Sequence, residues 1–277
     1  MTELGMTGVE RIAAAFESAR ANGRRAAFMP YLMGGFPDLE TSRRIGLEYA
    51  RAGADLIELG VPFSDPLADG PVIHAAATAA LRAGARLPDV LSEVGRPIAE
   101  EGVPVVVMCY ANPIFARGLE RFADALLGAG ASGLIVPDLP LEEAPAIRQV
   151  CDERGLALVP LVAPTTPDAR LAQIGAQARG FLYTVSLTGT TGERRGGNQD
   201  GLAAVVSRAA AGTSVPVAVG FGISTAHQAA AAAAAGADGV IVGSRLVRAA
   251  AGGSDPVAAV GALVRELAAG LAESAVG

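Results

Sequence analysis

Residues 55–71 read DLIELGVPFSDPLADGP, a short apolar run that leads directly into a loop rich in Pro and Gly. The apolar run predicts a buried strand with Glu58 near its end. The loop that follows carries Asp65 and Asp69. Carboxylates are therefore expected to converge beyond one strand terminus. This arrangement is typical of acid/base chemistry.

The same unit of apolar strand followed by helix recurs along the chain. Eight such strands are predicted at residues 27–33, 55–59, 104–109, 133–136, 156–161, 180–185, 215–219 and 240–242. Continuous rather than alternating apolar strands indicate a parallel sheet covered on both faces. Eight units predict an α/β fold, a (β/α)8 TIM barrel. An open doubly wound sheet stays as the alternative, because periodicity does not show whether the sheet closes.

Two features complete the predicted architecture. Thr7 and Glu10 have the spacing of a capping box and predict an extra N-terminal helix before the first strand. No Pro/Ser-rich linker or charge block divides the chain, so residues 1–277 are expected to form a single barrel domain. A barrel commonly needs ~250 residues, which agrees with this length.

The composition excludes several kinds of chemistry. All 22 basic residues are Arg, so neither a Schiff-base mechanism nor covalent attachment of pyridoxal phosphate to this chain is possible. The soft metal ligands are limited to His74, His227, Cys109 and Cys151, and none of them forms a ligand-spaced pair. No metal site is therefore expected.

Charge and hydropathy limit the partners and the location. A net charge of -6 argues against nucleic acid and against an anionic membrane surface. No apolar run approaches the ~20 residues of a membrane span. The N-terminal residues lack the pattern of an export signal, and two distant cysteines suit a reducing compartment, so a cytoplasmic location is expected.

Glycines follow the last two predicted strands, where barrels commonly bind phosphate. Residues 220–224 read GFGIS, and Gly243 with Ser244 opens a helix. Backbone N–H groups at such places can bind an anion, although tight turns need glycine for their own reasons. The polar stretch at 189–197 is interpreted either as an active-site lid within loop 187–199 or as an ordinary surface loop.

The two carboxylates nearest the predicted strand end differ in their surroundings. Burial in an apolar strand would raise the pKa of Glu58 and make it a general acid near neutrality. Asp69, between Ala68 and Gly70, is better placed to stay ionised and to accept a hydrogen bond. The alternatives are an ion pair with an arginine for Glu58 and a simple Asp-Gly turn for Asp69.

Residues 58–71 also match a known family signature over their whole length without a gap. Further matching segments are YANP at 110–113, VPDLP at 136–140, SLTGTTG at 186–192, GFGI at 220–223 and VGS at 242–244. On these residues the chain resembles the family of tryptophan synthase α subunits. The matches extend across most of the chain, from about residue 27 to residue 244.

This resemblance implies a lyase that splits indole-3-glycerol phosphate into indole and glyceraldehyde 3-phosphate by an acid/base-catalysed retro-aldol reaction in tryptophan biosynthesis. It implies that Glu58 protonates indole C3 and assists loss of the side-chain hydroxyl proton. It implies that Asp69 holds the indole N–H and stabilises the positive charge that develops there.

The resemblance also implies binding positions, a partner and a cofactor arrangement. The substrate-binding positions are Tyr183 and Phe221 in the indole pocket, Thr191 in the lid, and Gly192, Gly222, Gly243 and Ser244 at the phosphate. Pro62, Asp65 and Asn112 are implied to face the β subunit of an α2β2 complex. No cofactor is expected on this chain, and pyridoxal phosphate is expected on the β subunit.

The chain departs from the family pattern at Met33, Phe36 and Thr190, which affects the indole pocket and the lid. Three rival functions are considered. Indole-3-glycerol phosphate synthase is disfavoured because the mechanism of that family relies on lysine, and this chain has none. A catalytically idle subunit that only activates or caps the β subunit, and a free-standing indole-releasing lyase, stay as alternatives.

Overall fold

Parallel strands surrounded by helices form the centre of the protein. A computed structural model describes residues 5–185, 199–220 and 222–272. Within these residues the strands are β1 (Ala27–Met33), β2 (Ile57–Gly60), β3 (Val105–Met108), β4 (Gly133–Ile135), β5 (Ala157–Val159), β6 (Leu161–Val162), β7 (Leu182–Val185), β8 (Val217–Gly220) and β9 (Gly239–Val242). All of their pairings are parallel, in the order β5-β4-β3-β2-β1-β9-β8-β7-β6.

Helices follow the strands along the chain and cover the outside of the sheet. They are α1 (Gly8–Ala21), α2 (Leu39–Ala52), α3 (Pro71–Arg82), α4 (Leu87–Asp89), α5 (Arg96–Glu100), α6 (Ala111–Arg117), α7 (Leu119–Gly128), α8 (Ala144–Asp152), α9 (Asp168–Gly175), α10 (Gln199–Ala211), α11 (Ala226–Ala234), α12 (Ser244–Ala251) and α13 (Pro256–Ala269). A π-helical segment, Val90–Gly95, joins α4 to α5. None of the helices in the described residues is long and apolar enough to cross a membrane.

The sheet closes through a single strand that is interrupted by Pro160. β5 pairs with β4 and β6 pairs with β7, and only Pro160 separates β5 from β6. Proline has no N–H to continue a ladder, so the strand predicted at 156–161 divides into two segments at this residue. Its carbonyl still accepts a hydrogen bond from the Tyr183 N–H at 3.0 Å. The predicted barrel is confirmed, and the open doubly wound sheet was the wrong alternative.

The predicted N-terminal helix is also confirmed, and it covers the amino end of the barrel. Thr7 and Glu10 form the capping box, with the Thr7 Oγ1 accepting from the Glu10 N–H at 3.2 Å. The buried face of α1 carries Ile12 and Phe16 into the apolar cluster inside the barrel. That cluster also contains Met29 and Phe181, from the strands. A second and larger apolar cluster lies between the strands and the outer helices.

Two local features differ from what the sequence predicts. A serine just before an Ala-rich run predicts Ser224 as the N-cap of α11, but the Thr225 side chain accepts the capping bond from the Gln228 N–H at 3.2 Å. Ser224 binds the Gln228 side chain instead, through both its N–H and its hydroxyl. The short helix α6 had no predicted counterpart, because its sequence ANPIFAR contains a proline in the first turn and too few residues to show a helical period.

We expect the packing of α1 against the barrel interior to contribute measurably to stability. Ile12 is fully buried, so Ile12→Ala removes apolar contacts inside the barrel and leaves a cavity. The free energy of unfolding should fall by about 2–4 kcal/mol in urea titrations. Glu17→Ala, on the exposed face of the same helix, is the control and should change it by less than about 0.5 kcal/mol. Equal losses in the free energy of unfolding for both changes would contradict a stabilising role for Ile12 in the barrel interior.

Candidate active site

Glu58 is the most unusual polar residue of the barrel interior. Its register opposite Tyr31 on β1 and Val106 on β3 directs its side chain to the same face as the interior cluster. The residue is 1% exposed, and neither carboxyl oxygen has a hydrogen-bond partner within the described part of the chain. Burial, together with repulsion from Asp69, raises the pKa of Glu58 from 4.5 to about 8. Near neutrality it is therefore a protonated acid, as predicted from its apolar strand.

Asp69 lies in the loop after β2 and has the hydrogen bond that Glu58 lacks. Its Oδ1 accepts from the Tyr110 hydroxyl at 3.0 Å, and that same hydroxyl accepts from the Ala68 N–H at 3.1 Å. Burial raises the pKa of Asp69, while the Tyr110 hydrogen bond and the charge of His74 act in the opposite direction. The two carboxyl groups are near enough for the charge of Asp69 to raise the pKa of Glu58.

Tyrosines line the space around the two carboxyl groups. Tyr31 and Tyr183 are buried, and the pKa of each is raised by burial and further by the negative charge of Glu58. The Tyr31 hydroxyl lies against the backbone of Gly60, where an added Cβ would approach it to 2.1 Å. Glycine at position 60 is therefore required by the tyrosine across the sheet. Together these groups form a polar cluster beside the apolar barrel interior, suited to an aromatic substrate that must exchange protons.

The predicted phosphate residues lie at the carboxyl ends of the last strands. Gly222 follows β8 with a φ of 62°, and Gly243 and Ser244 begin α12 after β9. The first amides of a helix have no intrahelical partner and can bind an anion. Gly243 lies beside Tyr31, so this helix start lies next to the cross-strand neighbour of Glu58. Thr191, Gly192 and Phe221, and most of loop 187–199, lie outside the described residues.

The positions predicted to face a partner differ in exposure. Asp65 and Asn112 are exposed, whereas Pro62 is buried within the chain. Two large apolar side chains near them are also exposed, Leu67 at 88% and Phe115 at 53%. Tyr110 connects the two segments, because its ring stacks on Phe63 at 5.2 Å and its hydroxyl binds the loop at Ala68 and Asp69.

The residues that depart from the family pattern lie close to the site. Met33 is buried, and its Sδ accepts a weak hydrogen bond from the Tyr31 hydroxyl at 3.9 Å. Phe36 is half-buried and packs against the apolar clusters on both sides of β1. Both residues therefore pack in the same apolar cluster as Tyr31.

Sequence reasoning assigned no role to Tyr31 or Tyr110, although Tyr110 stands in the matched YANP segment. Tyr110 donates to Asp69 from a different loop, and Tyr31 pairs with Glu58 from the neighbouring strand, so both proximities exist only after folding. Metal chemistry has no support in residues 5–185, 199–220 and 222–272, where no three His, Cys, Asp or Glu side chains are grouped to hold an ion. Cys109 and Cys151 are buried free thiols, and burial raises the pKa of each to about 12.

Comparisons with known proteins agree with this geometry. The family model described as tryptophan synthase alpha chain matches residues 16–272. The tryptophan synthase alpha chain of Synechococcus elongatus is 53% identical over 232 residues, which is 84% of this chain and 86% of the relative. The corresponding chain of Synechocystis is 48% identical over 239 residues, which is 86% of this chain and 89% of the relative.

Solved structures give the same result. A chain of Mycobacterium tuberculosis tryptophan synthase superposes with a TM-score of 0.88 at 41% identity, covering 95% of this chain and 99% of the other. Tryptophan synthase subunit alpha from Legionella pneumophila superposes with a TM-score of 0.86 at 36% identity, covering 96% and 99%. The chain therefore belongs to the tryptophan synthase alpha chain family, the carbon-carbon lyases that cleave indole-3-glycerol phosphate in tryptophan biosynthesis.

Proposed function

We propose that Glu58 and Asp69 carry out this cleavage, with Glu58 as the proton shuttle and Asp69 as the partner of the indole nitrogen. The observation that carries the proposal is the carboxyl group of Glu58, which is 1% exposed, has no hydrogen-bond partner among the described residues and has a pKa of about 8. A carboxyl group that is still protonated near neutrality can act as a general acid toward a substrate carbon.

The reaction then needs one proton to leave Glu58 and one to return. Glu58 protonates indole C3, and Asp69 accepts a hydrogen bond from the ring N–H and stabilises the positive charge on the ring. The bond between C3 and the glycerol side chain breaks, and its electrons return to the ring. The Glu58 carboxylate takes the proton of the side-chain hydroxyl as the carbonyl of glyceraldehyde 3-phosphate forms. Neither lysine nor metal is required, because the protonated indole ring is the electron sink.

The remaining site positions are proposed from their match to the family. Tyr183 and Phe221 line the indole pocket, and Thr191 in the lid helps to order Asp69. Backbone amides at Gly192, Gly222, Gly243 and Ser244 bind the phosphate. The glycine-rich turn at Gly222 and the start of α12 support this assignment, since both lie at the carboxyl ends of β8 and β9.

We propose a β subunit of tryptophan synthase as the partner, in an α2β2 complex. In this family the α subunit carries no cofactor and pyridoxal phosphate belongs to the β subunit. The exposed residues Asp65 and Asn112, with Leu67 and Phe115 nearby, support a partner-binding surface at the carboxyl end of the barrel. Buried Pro62 would shape this loop from within. We further propose that residues 1–277 form one domain and that the protein acts in the cytoplasm.

The first test is Glu58→Gln, which keeps the shape of the side chain and removes the transferable proton. Turnover of indole-3-glycerol phosphate should fall by about 10³-fold or more, while substrate binding stays within about threefold.

The same variant should also change the stability of the protein. The pKa of Glu58 is higher in the folded state than in the unfolded chain, so the free energy of unfolding of the wild type decreases as the pH rises from 4.5 to about 8. At pH 8 the free energy of unfolding of Glu58→Gln should therefore be about 1–3 kcal/mol higher than that of the wild type.

Glu93→Gln, at an exposed position of the π-helical segment, is the matched control and should alter neither activity nor stability. Unchanged turnover in Glu58→Gln would remove Glu58 from its role. Absence of indole release by the wild type, even with a β subunit, would instead support the idle-subunit alternative.

The second test is the pH dependence of kcat/KM. Glu58 must be protonated to act, and its pKa is about 8, so kcat/KM should be level from pH 7 to about 8 and then fall about tenfold per pH unit. Measurements between pH 7 and 9.5 avoid most of the phosphate ionisation near pH ~6. A profile that stays level up to pH 9.5 would show that a protonated Glu58 is not required.

The third test concerns the partner. The purified chain should release indole slowly by itself and at least about tenfold faster with a β subunit. Phe115→Ser should weaken the binding of the β subunit by about 1–3 kcal/mol in calorimetry, without changing the slow activity of the chain alone. Leu127→Ser is the matched control, because Leu127 is 43% exposed but lies at the end of α7, toward the amino end of the barrel. Equal loss of binding in both variants would contradict the proposed surface.

A further inference from the structure

Tyr31 is the cross-strand neighbour of Glu58 in the barrel. The two residues are paired in the register between β1 and β2, and parallel neighbours in register project to the same face of a sheet. Both are almost completely buried, at 5% for Tyr31 and 1% for Glu58. The ring of Tyr31 also adjoins Gly243 at the start of α12. Tyr31 therefore lies between Glu58 and the proposed phosphate site.

The hydroxyl of Tyr31 has only a weak hydrogen-bond acceptor. Among the described residues it donates to Met33 Sδ at 3.9 Å, and a thioether sulfur is a poor acceptor. A buried hydroxyl normally has a better partner. Conversely, neither carboxyl oxygen of Glu58 accepts a hydrogen bond from the described residues. A spare donor and spare acceptors thus lie on neighbouring strands.

The electrostatic surroundings keep Tyr31 a neutral donor. Burial raises its pKa, and four groups on other elements raise it further; these are Asp69, Glu58, Tyr110 and Tyr183. By contrast, the pKa of Tyr183 is affected by Glu58 but not by Asp69. His74 also faces this region from α3, through its attraction to Asp69. Tyr31 is therefore the phenol whose surroundings include both carboxyl groups of the proposed pair.

We propose that Tyr31 is a positioning residue for the cleavage, whose hydroxyl turns from Met33 Sδ to Glu58 when Glu58 becomes ionised. This inference rests on the proposed function of Glu58. The proton of Glu58 passes to indole C3, and Tyr31 donates a hydrogen bond to the carboxylate that is left. The carboxylate then takes the proton of the substrate hydroxyl and returns to its resting form. Tyr31 keeps its own proton throughout.

Tyr31→Phe tests this inference with the loss of one oxygen atom. Without the donor the ionised form of Glu58 is less stable, so the pH above which kcat/KM falls should move upward by about one unit. The kcat should fall by about 10-fold to 100-fold, because a hydrogen bond to a charged group is lost from the transition state. The KM should stay within about threefold, since the hydroxyl is not assigned to substrate binding.

Met33→Leu should shift the pH at which kcat/KM falls in the opposite direction. It keeps the apolar volume and removes the sulfur that competes for the Tyr31 hydroxyl, so the fall of kcat/KM should move to lower pH. This variant also keeps the inference testable if Tyr31→Phe does not fold. Tyr49→Phe is the matched control, because Tyr49 is equally buried and its hydroxyl donates to the Tyr31 backbone carbonyl at 3.4 Å, not to the site.

The inference is overturned if the pH profiles of Tyr31→Phe and Met33→Leu coincide with that of the wild type, or if Tyr49→Phe shifts its profile equally. Glu58→Gln in the same series separates this failure from failure of the proposed function. An inactive Glu58→Gln with an unshifted Tyr31→Phe rejects only the positioning role. An active Glu58→Gln rejects the proton-shuttle role itself.

Discussion

The chemistry proposed for this barrel depends on one carboxyl group that is buried without a hydrogen bond from any described residue. Ionising Glu58 in that position costs free energy, and the cost appears as a pKa of about 8. Proteins seldom leave a buried polar group unsatisfied, and such exceptions are concentrated at functional sites. The barrel maintains this one because Glu58 lies on β2 with strands on both sides, so the side chain cannot turn outward to water.

A second carboxylate before the same strand shows how differently the chain treats a structural group. Asp55 precedes β2 and accepts hydrogen bonds from the Arg24 guanidinium at 2.5 Å and from the Phe28 N–H at 2.7 Å. Burial raises the pKa of Asp55, and these donors oppose that effect. Glu58 lies three residues later and accepts no hydrogen bond from any residue that the structure describes. The difference in partners, rather than in burial alone, separates a carboxylate that ties strands together from one that can release a proton to a substrate.

The sequence predicted the barrel well because strand and helix periods repeat eight times and each repeat is local. It did not predict the break at Pro160, whose effect on the ladder matters only once both neighbouring strands are in place. The burial of Glu58 could be predicted from its apolar neighbours in the chain. The hydrogen bond from Tyr110 to Asp69 and the pairing of Tyr31 with Glu58 could not, because each joins residues that are far apart in the sequence. Likewise, a proline in a loop gave no indication that Pro62 is buried.

The two carboxyl groups of the site can divide their roles only because they are unequal. Both are desolvated, which raises the pKa of each. Tyr110 supplies a donor to Asp69, which favours the negative charge there. That charge then opposes ionisation of Glu58 and keeps its proton available. The Tyr110 hydroxyl, which lies beyond the end of β3, thus supports the proposed division of roles, with Asp69 as the partner of the indole nitrogen and Glu58 as the acid for its carbon.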